Sequence, residues 1–162
     1  MIDEIDEKIL SIIQKDARTP NAEIARQVGM APSAIFERIR KLEEQAIIHG
    51  YETRLNPREF GLGLVAFIFV RADDRVGAGK TGITLAKIPQ VQEVHHIAGE
   101  DCYLVKVRAK DTEDLWKLIR EEFGVITTIS STRTTIVLET LKETAQLPLE
   151  AEVHGKAKVK HA

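Results

Sequence analysis

The sequence predicts an α+β chain: a helical N-terminal part over about residues 1–50, then strands and helices in the order βαββαβ from residue 62. Two observations carry this. Apolar residues recur at helical spacing in three successive segments before residue 46, and after residue 62 the pattern changes to short apolar runs and alternation broken by glycine and proline. A third concerns the end of the chain, where the periodicity stops near Leu141 and "HGKAKVKHA" follows, so residues 142–162 are expected to be a frayed tail.

The first helix is read from Ile5, Ile9, Ile12 and Ile13, which share one face, with Asp3 as N-cap and early acids suiting the positive end of the helix dipole. In "TPNAEIARQVG", Thr19 fits an N-cap, Pro20 the first helical position and Gly29 a left-handed stop, with Ile24, Ala25 and Val28 inward. Pro32 opens a third helix whose inward stripe is Ile35, Ile39, Leu42 and Ala46. Two helices joined by a short glycine-containing turn make a helix-turn-helix, here with its motif at about 21–40.

The third helix also has a polar face: Ser33, Glu37, Arg40 and Lys41, with Ala34 and Arg38 beside them. Small residues first and cations later suit a helix whose N-terminal end enters a major groove while its later residues reach phosphates. A solvated face on a three-helix bundle has the same pattern, so the spacing alone does not decide.

"AIIHGYETRLN" alternates and reads as a strand or small β-wing, and "NPREFG" as a turn, making residues 51–61 a β-linker. Beyond it the expected elements are a strand over 62–72, a helix over 78–88, strands over 91–98 and 102–110, a helix over 112–123 and a strand over 126–140. Asp111 or Thr112 caps the second helix, Gly124 stops it, and Trp116 and Phe123 are expected to pack. This order over 62–141 is the ferredoxin-like split fold, an antiparallel sheet with helices on one face. Its other face needs a cover, so a homodimer is expected.

The 162 residues carry a net charge near −2, so any pull on nucleic acid must come from a local patch. Lys15, Arg18, Arg26, Arg38, Arg40 and Lys41 supply one. Apolar runs fall short of the roughly 20 residues of a membrane span, and "MIDEIDEKIL" carries acids where a secretory signal carries cations. With one cysteine, Cys102, the chain has no internal disulfide framework or multi-cysteine zinc site, and the expected location is the cytoplasm. His95 and His96 point to opposite sides of a strand and cannot readily share a metal. No nucleophile, base and orienter set stands out, so enzymatic chemistry and a cofactor are not expected.

One stretch argues for nucleotides. "DDRVGAGKTG", Asp73 to Gly82, follows an apolar run and ends in Gly-Lys-Thr. A phosphate loop needs a glycine five positions before Gly79, where Asp74 stands, and an acid there repels phosphate oxygens. Two adjacent strands also suit an antiparallel sheet rather than the parallel one of phosphate-loop domains.

From Ile2 to about Lys142 the sequence resembles the Lrp/AsnC family of transcriptional regulators. The residues that carry it are Asp3, Asp6, Ile9, Leu10, Asp16, Arg18, Glu23, Gly29, Arg38, Leu42, Glu43, Ile48 and Gly50, with "GEDCYLVKV" and "STRTTIVLE" in the second half. The resemblance implies double-stranded DNA as a partner, read by the third helix, and dimers that assemble into octamers or similar multiples. It implies an amino-acid effector bound between dimers at a Gly-x-x-Asp-aromatic turn, here Gly99, Glu100, Asp101, Cys102 and Tyr103, with Thr132 and Thr134 as neighbours. Cys102 stands where many relatives carry aspartate, so the ammonium anchor either passes to Asp101 or is missing. Ala31 stands where a serine or threonine commonly caps the third helix, at a cost of about 1 kcal/mol.

The expected DNA contacts are Ser33, Ala34, Glu37 and Arg38 toward bases, with Arg40, Lys41 and Arg18 toward phosphates. The competing readings are a small-molecule-binding oligomer that does not regulate DNA and a phosphate-loop-like nucleotide-binding protein.

Overall fold

The structure, a computed structural model, describes residues 2–74, 79–99 and 101–149. They divide into two compact units, one of residues 2–53 with 143–149 and the other of residues 54–142.

The first unit holds α1 (Glu4–Lys15), α2 (Asn21–Val28) and α3 (Pro32–Glu44). Its core is Ile9, Ile13, Ile24, Ala25 and Ile35, flanked by the half-buried Ile5, Ile12, Val28, Met30 and Ile39. Asp3 and Asp6 form a reciprocal capping box on α1: the Asp6 N–H donates to Asp3 Oδ1 at 2.8 Å and the Asp3 N–H to Asp6 Oδ2 at 3.2 Å. Gly29 ends α2 at φ 76°, where a side chain would be strained.

Several local expectations are corrected. Thr19 does not cap α2; its hydroxyl donates back to the Asp16 carbonyl at 2.8 Å, and Pro20 is the N-cap. Ala46 leaves the buried stripe because α3 stops at Glu44 and Ala46 turns left-handed, φ 53°. Its N–H donates to the Glu43 carbonyl and that of Ile47 to the Leu42 carbonyl, both at 2.9 Å, which is a Schellman ending with alanine in the glycine position. The wing is absent among the described residues: 46–56 form no strand, since a lone extended segment has no neighbour to take its backbone hydrogen bonds. Only a 3₁₀ turn, Pro57–Phe60, follows in the linker.

Of the tail expected over 142–162, residues 143–149 are held by hydrogen bonds, and 150–162 lie outside the described residues. Gln14 donates from Nε2 to the Leu147 carbonyl at 2.9 Å and accepts the Leu147 N–H on Oε1 at 3.0 Å. Gln146 Nε2 donates to the Gln14 carbonyl, near the C-terminal end of α1, at 3.0 Å.

The second unit holds β1 (Leu64–Ala72), α4 (Lys80–Leu85), β2 (Val91–His96), β3 (Tyr103–Ala109), α5 (Thr112–Leu118) and β4 (Ile129–Ile136). The strands form one antiparallel sheet in the order β2-β3-β1-β4, with Ile68 opposite both Val105 and Thr134. This is the expected βαββαβ arrangement. Leu85, Ile88, Leu115, Leu118 and Phe123 close over Ala66, Ile68, Val70, Tyr103, Val105, Val107 and Ala109 on one face.

α4 begins later than expected, at Lys80, and residues 75–78 of the glycine-rich stretch lie outside the described residues. α5 runs on through a π-helical turn, Ile119–Phe123, in which the Gly124 N–H bonds to the Ile119 carbonyl. Gly124 is right-handed, φ −65°, so its need for glycine comes from space: a Cβ there would stand 2.5 Å from the Arg120 carbonyl oxygen. Trp116 does not pack; it is 61% exposed on the outer side of α5.

Candidate nucleic-acid interface and effector turn

α3 turns Ile35 and Leu42 into the first unit and leaves Ser33, Phe36, Glu37, Arg40 and Lys41 exposed, with Ala34 half-buried. Ala31, its N-cap, makes no side-chain hydrogen bond. Arg40 is bracketed by acids, Nη2 at 2.8 Å from Glu37 Oε2 and Nη1 at 2.8 Å from Glu44 Oε1. Such exposed pairs are worth little and yield to salt or to a phosphate. Lys41 has no ion pair among the described residues and Arg18 is exposed between α1 and α2, so both cations are available for phosphates.

Arg38 departs from the expectation that it faces bases. Its Nη1 stands 2.7 Å from Asp6 Oδ1 and 2.8 Å from Asp3 Oδ2, the oxygens the capping box leaves over. The backbone N–H of Asp6 and then this guanidinium hold the Asp3 carboxyl below its usual range. Arg38 is thus the clamp between α1 and α3. Phe36 was not among the expected contacts, yet it is 55% exposed at the edge of the polar face. The signal was there: an aromatic residue standing off the Ile35, Ile39 and Leu42 stripe.

In the second unit the turn between β2 and β3 carries the expected effector residues. Gly99 is at φ 136°, and Glu100 lies outside the described residues. Asp101 Oδ2 is 2.9 Å from Arg133 Nη2, and the guanidinium of Arg133 lies 4.1 Å from the centre of the Phe69 ring. The Cys102 thiol donates to the Ala72 carbonyl at 3.3 Å.

Strand pairing separates the expected neighbours. Thr132 and Thr134 lie opposite Val70 and Ile68, on the helix-covered side, whereas Arg133 lies opposite Phe69 on the other. The turn therefore meets β4 through Arg133, a residue the threonine reading stepped over. Tyr103 is a core residue, 3% exposed, stacked on His96 with ring centres 5.0 Å apart.

Asp74, where a phosphate loop needs glycine, is engaged at the start of α4. Its carboxylate accepts the Thr81 N–H at 3.2 Å, the Thr81 hydroxyl at 2.8 Å and the Tyr103 hydroxyl at 2.7 Å. The Tyr103 and Thr81 bonds hold its ionisation below the usual carboxylate range. The anion at the start of α4 is the chain's own. Among the described residues no group of His, Cys, Asp and Glu is arranged to hold a metal, and no helix is long and apolar enough to cross a membrane.

Comparison with known proteins agrees with both halves. Residues 2–43 match the AsnC-type helix-turn-helix domain and residues 65–147 the Lrp/AsnC ligand binding domain. The chain is 40% identical over 152 residues to the HTH-type transcriptional regulator FL11 of Pyrococcus horikoshii, covering 92% of this chain and 97% of that one. It is 33% identical over 153 residues to the leucine-responsive regulatory protein of Escherichia coli, covering 92% of each. A solved transcriptional regulator of Neisseria meningitidis in complex with L-Met superposes with a TM-score of 0.86 at 27% identity, over 93% of this chain and 98% of that one. A feast or famine regulatory protein of M. tuberculosis complexed with L-methionine gives 0.83 at 28%, over 91% and 99%. Helix-turn-helix, four-stranded sensor sheet and these likenesses together place the chain in the Lrp/AsnC family of DNA-binding, effector-responsive transcriptional regulators.

Proposed function

We propose that this regulator reads duplex DNA through α3 and answers to a free amino acid at the turn of Gly99, Glu100, Asp101, Cys102 and Tyr103. The observation that carries the effector site is the ion pair Asp101–Arg133, 2.9 Å long and open to solvent on the arginine side. A zwitterion satisfies both partners at once, its ammonium on Asp101 and its carboxylate on Arg133, in place of their contact with each other. The glycine turn adds backbone N–H and C=O groups. The two L-methionine complexes among the neighbours support an amino acid as the class of ligand.

On α3, Ser33, Ala34 and Glu37 face bases, and Arg40, Lys41 and Arg18 face phosphates. The uncovered sheet face, with Phe67, Phe69 and Leu104 half-buried on it, supports a homodimer and higher assembly of dimers. A partner of duplex DNA supports the cytoplasm as its location.

A thermal-shift panel of the twenty amino acids tests the effector site. A ligand at 100 times its dissociation constant stabilises the fold by about 2.7 kcal/mol, and Asp101→Asn or Arg133→Ala should abolish that shift. No response to any amino acid overturns the effector reading. For the DNA face, Lys41→Ala should lower the slope of log affinity against log salt by about 0.9. An unchanged slope removes Lys41 from the interface.

A further inference from the structure

We infer that Phe36 reads the C5-methyl groups of thymine in the major groove, so that each half-site is built around thymine-bearing pairs. The inference rests on the reading of α3 as the helix that enters the groove.

Phe36 is more than half exposed, while Ile35 next to it is fully buried. It stands outside the core cluster of the three helices, and on α3 it shares a face with Ser33 and Arg40, three before and four after it. A phenyl ring kept in water at the edge of a DNA-facing surface loses free energy in the unbound protein and regains it against an apolar partner. On the floor of the major groove that partner is the thymine methyl.

The rest of α3 points the same way by elimination. Guanine is read by bidentate arginine or lysine, adenine by asparagine or glutamine, cytosine by glutamate or aspartate, and thymine by apolar contact with its methyl. From Pro32 to Ile39, the part of such a helix that reaches base edges, there is no Asn, Gln or Lys. Arg38, the arginine within it, is clamped to Asp3 and Asp6. Glu37 is paired with Arg40. What α3 offers to base edges is therefore the Glu37 carboxylate once free of Arg40, the Ser33 hydroxyl, the Ala34 methyl and the Phe36 ring, and only the last two carry apolar surface for a thymine methyl. Lys41, further along the helix, falls where phosphates run.

The test uses the full-length protein and a duplex that it enriches from a randomised double-stranded library. Each thymine of that duplex is replaced in turn by deoxyuridine, which removes one methyl and leaves the base pair intact. At one or two positions in each half-site the replacement should weaken binding about fourfold, which corresponds to ~0.8 kcal/mol for one buried carbon. Phe36→Ala should bind the thymine duplex more weakly and no longer distinguish thymine from deoxyuridine there, while Phe36→Leu keeps part of the discrimination. Thermal melts of both variants should match the parent, because the side chain is not in the core.

If the parent binds the enriched duplex and is indifferent to deoxyuridine everywhere, or if the penalty survives in Phe36→Ala, the inference is overturned and α3 as a DNA-reading helix still stands. If no sequence is enriched, base reading by α3 fails and this inference with it. A change in oligomeric state of Phe36→Ala with the thymine discrimination intact would assign the ring to contact between copies instead.

Discussion

Arg38 Nη1 stands 2.7 Å from Asp6 Oδ1 and ties the middle of α3 to the first turn of α1. Asp6 is nearly buried, so the pair is screened less than the surface ladders around it. Arg38→Ala should destabilise the helical unit by about 1–2 kcal/mol, read as a lower helix-melting midpoint. The same clamp has a pH signature. The Asp3 carboxyl is held below its usual 3.8, chiefly by the Asp6 N–H and next by Arg38, so the stabilisation is complete above that pH and fades as pH falls through the lower folded value. The gap between parent and Arg38→Ala should narrow in acid; a gap that stays constant down to pH about 2 assigns the clamp to packing alone.

Ala46 sits at φ 53° in the Schellman ending of α3. A β-carbon in that region costs about 1–2 kcal/mol, and glycine removes it while giving back part of the gain as chain entropy. Ala46→Gly should raise stability by about 0.5–1 kcal/mol in urea unfolding, and Ala46→Val should lower it.

Gly82→Ala should do the opposite of what helix propensity says. On an open helix surface alanine is better than glycine by about 1 kcal/mol. Here its Cβ would stand 2.7 Å from Cε1 of Tyr103, whose ring is buried, stacked on His96 and tied by its hydroxyl to Asp74. A loss of about 1–3 kcal/mol is expected, and Tyr103→Leu in the same chain should recover part of it, a non-additivity that a double-mutant cycle measures.

Both tyrosines should resist alkali. Burial and then the Glu43 carboxylate, 2.8 Å away, push Tyr51 up to about 12, and burial and Asp74 raise Tyr103. With the neutral forms favoured in the fold, this stabilisation is present below pH 10, the unfolded value, and is lost as pH rises through the folded values. An ultraviolet titration showing phenolate at pH 10 in folded protein would contradict it.

Gln14→Ala should release the C-terminal segment from α1. The Leu147 amide, which donates to Gln14 Oε1, should exchange with deuterium faster while the core amides of α1 keep their rates. Unchanged exchange at Leu147 would mean that something other than Gln14 holds this segment.

How much of this was legible in the sequence followed the range of the forces involved. Asp3, Gly29, Pro32 and Asp111 were readable because a cap or a left-handed stop is settled within four residues of itself. The order of strands and helices along the chain was readable from where the periodicity changes. Thr19, Ala46 and the wing misled because each had a local pattern and no partner to complete it. The sites were less legible, since their decisive contacts join distant positions: Arg38 with Asp3 and Asp6, Asp101 with Arg133, Asp74 with Tyr103. Nothing within a few residues of Arg133 says that it will face an acid across the intervening strand. Thr132 and Thr134 share a face, as alternation requires, but register put Arg133 on the side that Asp101 reaches.

The sheet order has a consequence in time. β1 lies between β3 and β4, and Ala66 pairs with Ile136, so the sensor sheet cannot close until Ile136 has left the ribosome. The three helices contact one another within the first 44 residues and are complete much earlier. Every nascent copy thus owns its DNA-reading helices before it owns a sensor. A chain cut short anywhere before β4 would keep its three helices and lose the strand that completes its sensor sheet.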